Sequence, residues 1–116
     1  MNEILFNGVV AKETLYEGYY ATRDGEIVSV RCKGKRDVDY NNPRKLKARS
    51  DRDGYMEVCL SISENNSQKR IYRRVHRLVW EAFNGRIPNN LTIDHINSIP
   101  NDNRLENLQL LTREQN

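Results

Sequence analysis

The chain has 116 residues, with 19 basic and 16 acidic side chains, a formal net charge of +3 and 37% hydrophobic residues. Such a length makes one domain, or one domain with a small appendage, around a modest core. It holds no run of eighteen apolar residues that could span a membrane, and Met1-Asn2-Glu3-Ile4 lacks the basic start and apolar stretch of a signal peptide.

In chain order, Tyr19-Tyr20-Ala21-Thr22 and Ile27-Val28-Ser29-Val30 flank Asp24-Gly25, the pattern of a β-hairpin. Residues 31–50 are basic and least patterned, broken by Asn41-Asn42-Pro43, and read as a loop or connecting arm. After Asp53-Gly54, the apolar Met56, Val58, Leu60 and Ile62 alternate with Glu57, Cys59 and Ser61, a half-buried strand. Glu64-Asn65-Asn66-Ser67 turns the chain, and Arg70-Ile71-Tyr72-Arg73 returns as its partner.

The period then changes. Val75, Leu78, Val79, Ala82 and Phe83 form the apolar stripe of a helix, stopped at Asn84-Gly85 with Pro88 beyond. Residues 91–94 read as a strand, 96–104 as a loop and 108–111 as a second strand. Thr112 and Gln115 are spaced as a capping box that opens a last helix. The fold expected is α+β.

Charge is unevenly spread. Residues 1–30 carry two basic and five acidic side chains, residues 31–77 fourteen and six, and residues 78–116 three and five. The central basic belt suits a polyanion through counterion release, most commonly nucleic acid, although a solvated charged surface has the same composition. Cys32 and Cys59 stand apart, without a CxxC pair or neighbouring histidines. That argues against a zinc site or a disulfide, and for a reduced cytoplasmic setting.

Two strands, a polar loop and a helix start bring together the first strand's end, the loop's far side and the helix's first turn. Here these are Asp94-His95, Asn107 and Asn116. Carboxylate and amide oxygens suit a hard cation such as Mg²⁺ or Mn²⁺, and an adjacent imidazole can take a proton from water at neutral pH. A cation on the phosphate oxygens with a base on water is what phosphodiester hydrolysis requires. The plainer alternative makes Asp94 a turn cap and His95 a surface residue.

The residues Val75-His76-Arg77-Leu78-Val79, Phe83, Ile93-Asp94-His95, Asn101 to Arg104, Glu106-Asn107-Leu108, Leu111-Thr112 and Asn116 resemble the ββα-metal core of HNH homing endonucleases of the His-Asn-Asn type, found in phages and introns. Tyr16-Glu17-Gly18-Tyr19-Tyr20 and Gly25-Glu26-Ile27-Val28-Ser29 resemble the small NUMOD-type module such enzymes carry at the N-terminus, and Asp53-Gly54-Tyr55 looks like their linking strand. The resemblance implies a β-rich module with its basic arm over residues 1–50 and a nuclease core over 51–116. His95 is then the general base, Asp94 and Asn116 hold one Mg²⁺ or Mn²⁺ ion, and Asn107 braces the loop behind His95. The implied reaction cleaves double-stranded DNA to a 5′-phosphate and a 3′-hydroxyl with no small-molecule cofactor, in a cytoplasm that is that of a phage-infected bacterium.

Lys69, Arg70, Arg73, Arg74 and Arg77 are the expected phosphate contacts, and strand alternation splits them between two faces. Lys33, Lys35, Arg36, Arg44, Lys45, Lys47 and Arg49 are a candidate second arm. Asn101 and Asn103 read as loop formers, and His76, on the helix edge, either approaches the site or packs against Trp80. The family's last helix continues past the position of Asn116; either DNA completes the ion site, or the sequence is a shortened form of a longer protein. The rival readings are an inactive HNH-derived DNA-binding protein and an RNA-directed protein.

Overall fold

The computed structural model describes residues 2–32 and 37–115. Its first part is an antiparallel meander. Strands β1 (Glu3–Phe6) and β2 (Val9–Glu13) turn on Asn7-Gly8, with φ of 52° and 80°, the left-handed backbone that a two-residue hairpin loop demands. Strand β3 (Tyr19–Thr22) pairs with β2 and with β4 (Ile27–Ser29), and the two-residue β5 (Arg44–Lys45) completes the sheet in the order β1-β2-β3-β4-β5.

Every residue of β3 and β4 is buried, because both faces of this hairpin are covered. The period of two divides its side chains between two clusters. Tyr19, Ala21 and Ile27 enter the main core, while Tyr20, Val28 and Val30 meet Ile4 and Ala11 on the other side.

A second sheet joins β6 (Arg49–Ser50), β7 (Met56–Glu64) and β8 (Ser67–Arg74). Val58, Leu60 and Ile71 form its buried row. Strand β8 runs without a loop into α1 (Val75–Asn84), whose Val75, Leu78 and Val79 are buried against that row and against the β3–β4 hairpin. Leu60 and Leu78 are wholly removed from water, which stabilises the fold by about 1.5–3 kcal/mol for each. The helix stops at Gly85, at φ 86°, whose N–H donates to the Glu81 carbonyl at 2.9 Å.

The chain ends in an antiparallel pair, β9 (Leu91–His95) and β10 (Leu108–Thr112), with one 3₁₀ turn at Leu105–Asn107 before β10. The molecule is thus mostly β with one described helix. The β3–β4 hairpin, the β7–β8 pair, α1 and the β9–β10 pair stand where the sequence pattern puts them.

Three features differ from expectation or extend it. The β1–β2 hairpin was not foreseen, although Asn7-Gly8 is its signal. Residues 31–50 are more than an arm, since β5 and β6 each add an edge to a sheet. The expected last helix is not formed among the described residues, where 113–115 are a turn, but its capping-box contacts are. The Gln115 N–H donates to Thr112 Oγ1 at 3.2 Å and the Thr112 N–H to Gln115 Oε1 at 2.9 Å, the reciprocal capping-box pair. The main core draws Tyr19, Ala21 and Ile27 from before residue 50 and Leu60, Leu78 and Ile93 from after it.

Candidate active site at the end of strand β9

Strand β9 finishes on Asp94 and His95, and both border a cleft of about 230 Å³ with Tyr55, Ile93, Ser98 and Pro100. The register of the β9–β10 pair sets Gln109 opposite Asp94, and the Gln109 Nε2 donates to Asp94 Oδ2 at 3.0 Å. The other carboxylate oxygen has no hydrogen-bond partner among the described residues.

His95 is 5% exposed, and its Nε2 lies 2.8 Å from Asn103 Oδ1. An amide oxygen only accepts, so this bond places the ring proton on Nε2 and leaves the lone pair of the neutral imidazole on Nδ1. Asn103 is itself buried. Read from sequence as a loop former, it is instead the direct partner of the histidine. No periodicity marks it, because it lies in an irregular loop.

Three rings pack together here. His76 and His95 have centroids 4.9 Å apart, Tyr55 and His95 5.8 Å, and Tyr55 and His76 5.7 Å. Of the two readings open for His76, the ring contact with His95 is the one that brings it to the site. Helical geometry does carry a signal for this, since at 100° per residue position 76 flanks the stripe that Val75, Val79 and Phe83 define. The His76 Nδ1 is buried without a hydrogen-bond partner. Burial pushes the His76 imidazole down to about 4, and the neighbouring His95, Arg74 and Arg77 act in the same direction. Near neutral pH it is an uncharged wall behind His95.

Asn107 ties the loop of residues 96–104 to β10. Its Oδ1 accepts from the Asn97 N–H at 3.1 Å, and its Nδ2 donates to Asn97 Oδ1 at 2.9 Å and to the Asp102 carbonyl at 2.8 Å. The Ile96 N–H donates to the Asn107 carbonyl at 2.8 Å, and the Ser98 N–H to the His95 carbonyl at 2.9 Å. Asp102 grips Arg104 through both carboxylate oxygens, at 2.8 and 2.9 Å, and this guanidinium holds its carboxyl well below the usual carboxylate range. Asn116, the remaining proposed ligand, lies outside the described residues. Among the described residues no group of three His, Cys, Asp or Glu side chains is placed to hold a metal ion.

The basic side chains divide as strand alternation requires. In the β7–β8 register Lys69 and Arg73 lie opposite Ile62 and Val58, while Arg70 and Arg74 lie opposite Ser61 and Glu57, and facing residues share a side. Arg74 pairs with Asp51 at 3.0 Å and lies over the Tyr55 ring at 4.4 Å, so it stands beside the ring cluster. Arg73 donates to the Tyr16 hydroxyl at 2.8 Å, Lys69 pairs with Glu64 at 3.1 Å, and Arg77 is 3.8 Å from Glu81. A larger cleft of about 620 Å³ lies between the two sheets, where Arg31, Arg44, Lys69 and Arg70 border it with the free Cys32 and Cys59. The smaller cleft is the one that a carboxylate and an imidazole border together. Lys33, Lys35 and Arg36 of the candidate arm lie outside the described residues. None of the described helices is long and apolar enough to cross a membrane.

Comparison with known proteins places this geometry in context. A family model described as HNH endonuclease matches residues 73–116. An uncharacterized HNH endonuclease of Acanthamoeba polyphaga mimivirus is 34% identical over 98 residues, which cover 84% of this chain and 26% of that protein. A second from the same virus is 35% identical over 77 residues, covering 65% of this chain and 19% of the relative. Protein 3.8 of Escherichia phage T7 is 44% identical over 52 residues, covering 43% of each. The chain therefore spans less than half of each of these relatives. Among solved structures, that reported as "DNA binding and cleavage by the HNH homing endonuclease I-HmuI" superposes with a TM-score of 0.61 at 25% identity, over 85% of this chain and 49% of the other.

Proposed function

Because this chain belongs to the HNH endonuclease family, we propose that it hydrolyses phosphodiester bonds of double-stranded DNA with one divalent cation, nicking or cutting the duplex. The observation that carries this reading is the shared cleft: Asp94 and His95 border it together, and the histidine is held by a buried amide. Two findings support DNA as the partner: the likeness to I-HmuI, a homing endonuclease that binds and cleaves DNA, and the basic belt of residues 31–77.

His95 is the general base in this proposal. It takes a proton from water as the water oxygen bonds to phosphorus and the bond from phosphorus to the 3′ oxygen breaks. The 3′ oxygen is protonated from solvent, leaving a 3′-hydroxyl and a 5′-phosphate. Asn107 braces the loop against which His95 sits. The donor set at Asp94 fits a hard cation: one oxygen is steadied by Gln109 and the other is unengaged among the described residues, which suits Mg²⁺ or Mn²⁺ that keep most of their waters. Asp94 and Asn116 would hold such an ion, which when bound neutralises charge on the phosphate and leaving oxygens. Residues 1–50 serve as a DNA-positioning module in this reading. Lys69, Arg70, Arg73, Arg74 and Arg77 contact phosphates from two faces of β8 and the start of α1, fixing register without reading sequence.

Supercoiled plasmid incubated with the protein and Mg²⁺ or Mn²⁺ tests the reading, with His95→Ala in parallel and EDTA as a metal-free arm. The expected result is relaxed or linear product from wild type only, abolished by EDTA. Equal nicking by His95→Ala removes His95 from the mechanism. Tight duplex binding without cleavage by either protein makes the chain an inactive HNH-derived binder, and preference for RNA in competition overturns the substrate.

A further inference from the structure

The site contains a histidine whose orientation is set by a side chain that no catalytic assignment includes. The His95 Nε2 and Asn103 Oδ1 are 2.8 Å apart, and both residues are buried, at 5% and 6% exposure. With its oxygen turned to the ring, the Asn103 amide favours the Nε2–H tautomer, because the opposite one sets a lone pair against a lone pair.

Asn103 is in turn fixed from outside its own loop. The turn between β3 and β4 presses on it: a Cβ placed on Gly25 would sit 2.9 Å from the carbonyl carbon and the carbonyl oxygen of Asn103. Two residues further on, the Leu105 N–H donates to the Arg23 carbonyl at 2.8 Å. The chain thus crosses back about eighty positions to clamp the residue that clamps His95. His76 packs against the imidazole at 4.9 Å between centroids, with no hydrogen-bond partner for its own Nδ1.

We propose that Asn103 is the positioning residue of His95: held against the β3–β4 turn, it keeps the ring proton on Nε2 and so makes Nδ1 the atom that receives the proton from water. The assignment of a chemical role rests on the reading of His95 as the base. The tautomer itself does not.

The experiment separates the two. The chain has 2 histidines, so long-range ¹H–¹⁵N spectra of the imidazole nitrogens near neutral pH resolve both, and His76→Phe assigns the remaining signals to His95. Wild type should show His95 protonated at Nε2. Asn103→Ala should give a tautomer mixture, with kcat for plasmid nicking lowered about 10- to 100-fold and KM for DNA kept within about twofold. Asn103→Asp retains an acceptor oxygen and should restore the single Nε2–H tautomer. A wild-type His95 protonated at Nδ1 overturns the proposal. So does an Asn103→Ala protein with an unchanged tautomer and unchanged kcat. If Asn103→Ala fails to fold, the wild-type and Asn103→Asp spectra decide. If wild type nicks no DNA, the nuclease reading falls while the spectra still judge the hold of Asn103 on His95.

Discussion

Acid should unfold this protein partly through one histidine. His76 is buried, its Nδ1 lacks a partner, and its imidazole is pushed from 6.5 down to about 4, first by burial and then by His95, Arg74 and Arg77. In the unfolded chain the ring recovers its ordinary affinity for protons. Between the two values the unfolded state binds more protons than the native state, so stability rises with pH across this window. The contribution is complete above the unfolded value and is lost as pH falls towards the folded one. A descent from 6.5 to about 4 corresponds to roughly 3 kcal/mol at most, of which about 2 kcal/mol is gone by pH 5.

His76→Phe keeps a ring against Tyr55 and His95 and cannot take up a proton. Urea unfolding of both proteins at pH 7 and pH 5 isolates the effect, because the carboxylates titrate alike in each. Wild type should lose about 2 kcal/mol more than the variant over that interval, a difference of about 1 M in midpoint for a domain of this size. Parallel losses in the two proteins would refute the reasoning, since a depressed histidine cannot vanish without flattening the slope.

Asn107→Ala removes three side-chain hydrogen bonds and strands the Asn97 N–H and the Asp102 carbonyl; thermal or urea unfolding should show a loss of about 2–3 kcal/mol. Gly25→Ala drives a Cβ into the Asn103 backbone at φ 93°, and should cost about 1–3 kcal/mol while lowering nicking more than DNA binding, read by plasmid assay and fluorescence anisotropy. Duplex affinity should fall linearly on a log–log salt plot, and Arg70→Ala should reduce the slope by about 1. A salt-independent affinity would sink the phosphate contacts.

What was legible in the sequence follows from which interactions are local. The period-two alternation of residues 56–62, the stripe from Val75 to Phe83 and the Thr112–Gln115 spacing each encode an element within a few residues. The strand, the helix and the cap each appear. The β1–β2 hairpin also carried its signal in Asn7-Gly8. The Asp94-His95 strand end and Asn107 were likewise readable, because spacing fixes them on β9 and just before β10. The illegible part depends on tertiary contact. Nothing near Asn103 in the chain announces that it will meet His95, and nothing near Gly25 announces that it will meet Asn103. His76 is intermediate, since its place on the flank of an apolar stripe foretells burial but not the companion ring.

This distribution has a mechanistic consequence. The final segment carries Asp94, His95 and Asn107, yet it does not by itself fix how they point. His95 sits on β9, its Nε2 is engaged by a loop residue, that loop residue is backed by the β3–β4 turn, and His76 of α1 packs against the imidazole. Side chains from before and after residue 50 also share the main core, so a force on the amino-terminal sheet has a short, packed route to the imidazole. If phosphates are gripped by the basic residues of β8 while the meander adjusts to the duplex, the same adjustment bears on Gly25 and hence on Asn103. Binding energy gathered away from the reacting phosphate is then available to align the base, the use of remote contacts that raises kcat and not only affinity. The first fifty residues would thereby contribute to turnover as well as to holding DNA, and loosening the β3–β4 turn should lower kcat even where the affinity for duplex is retained.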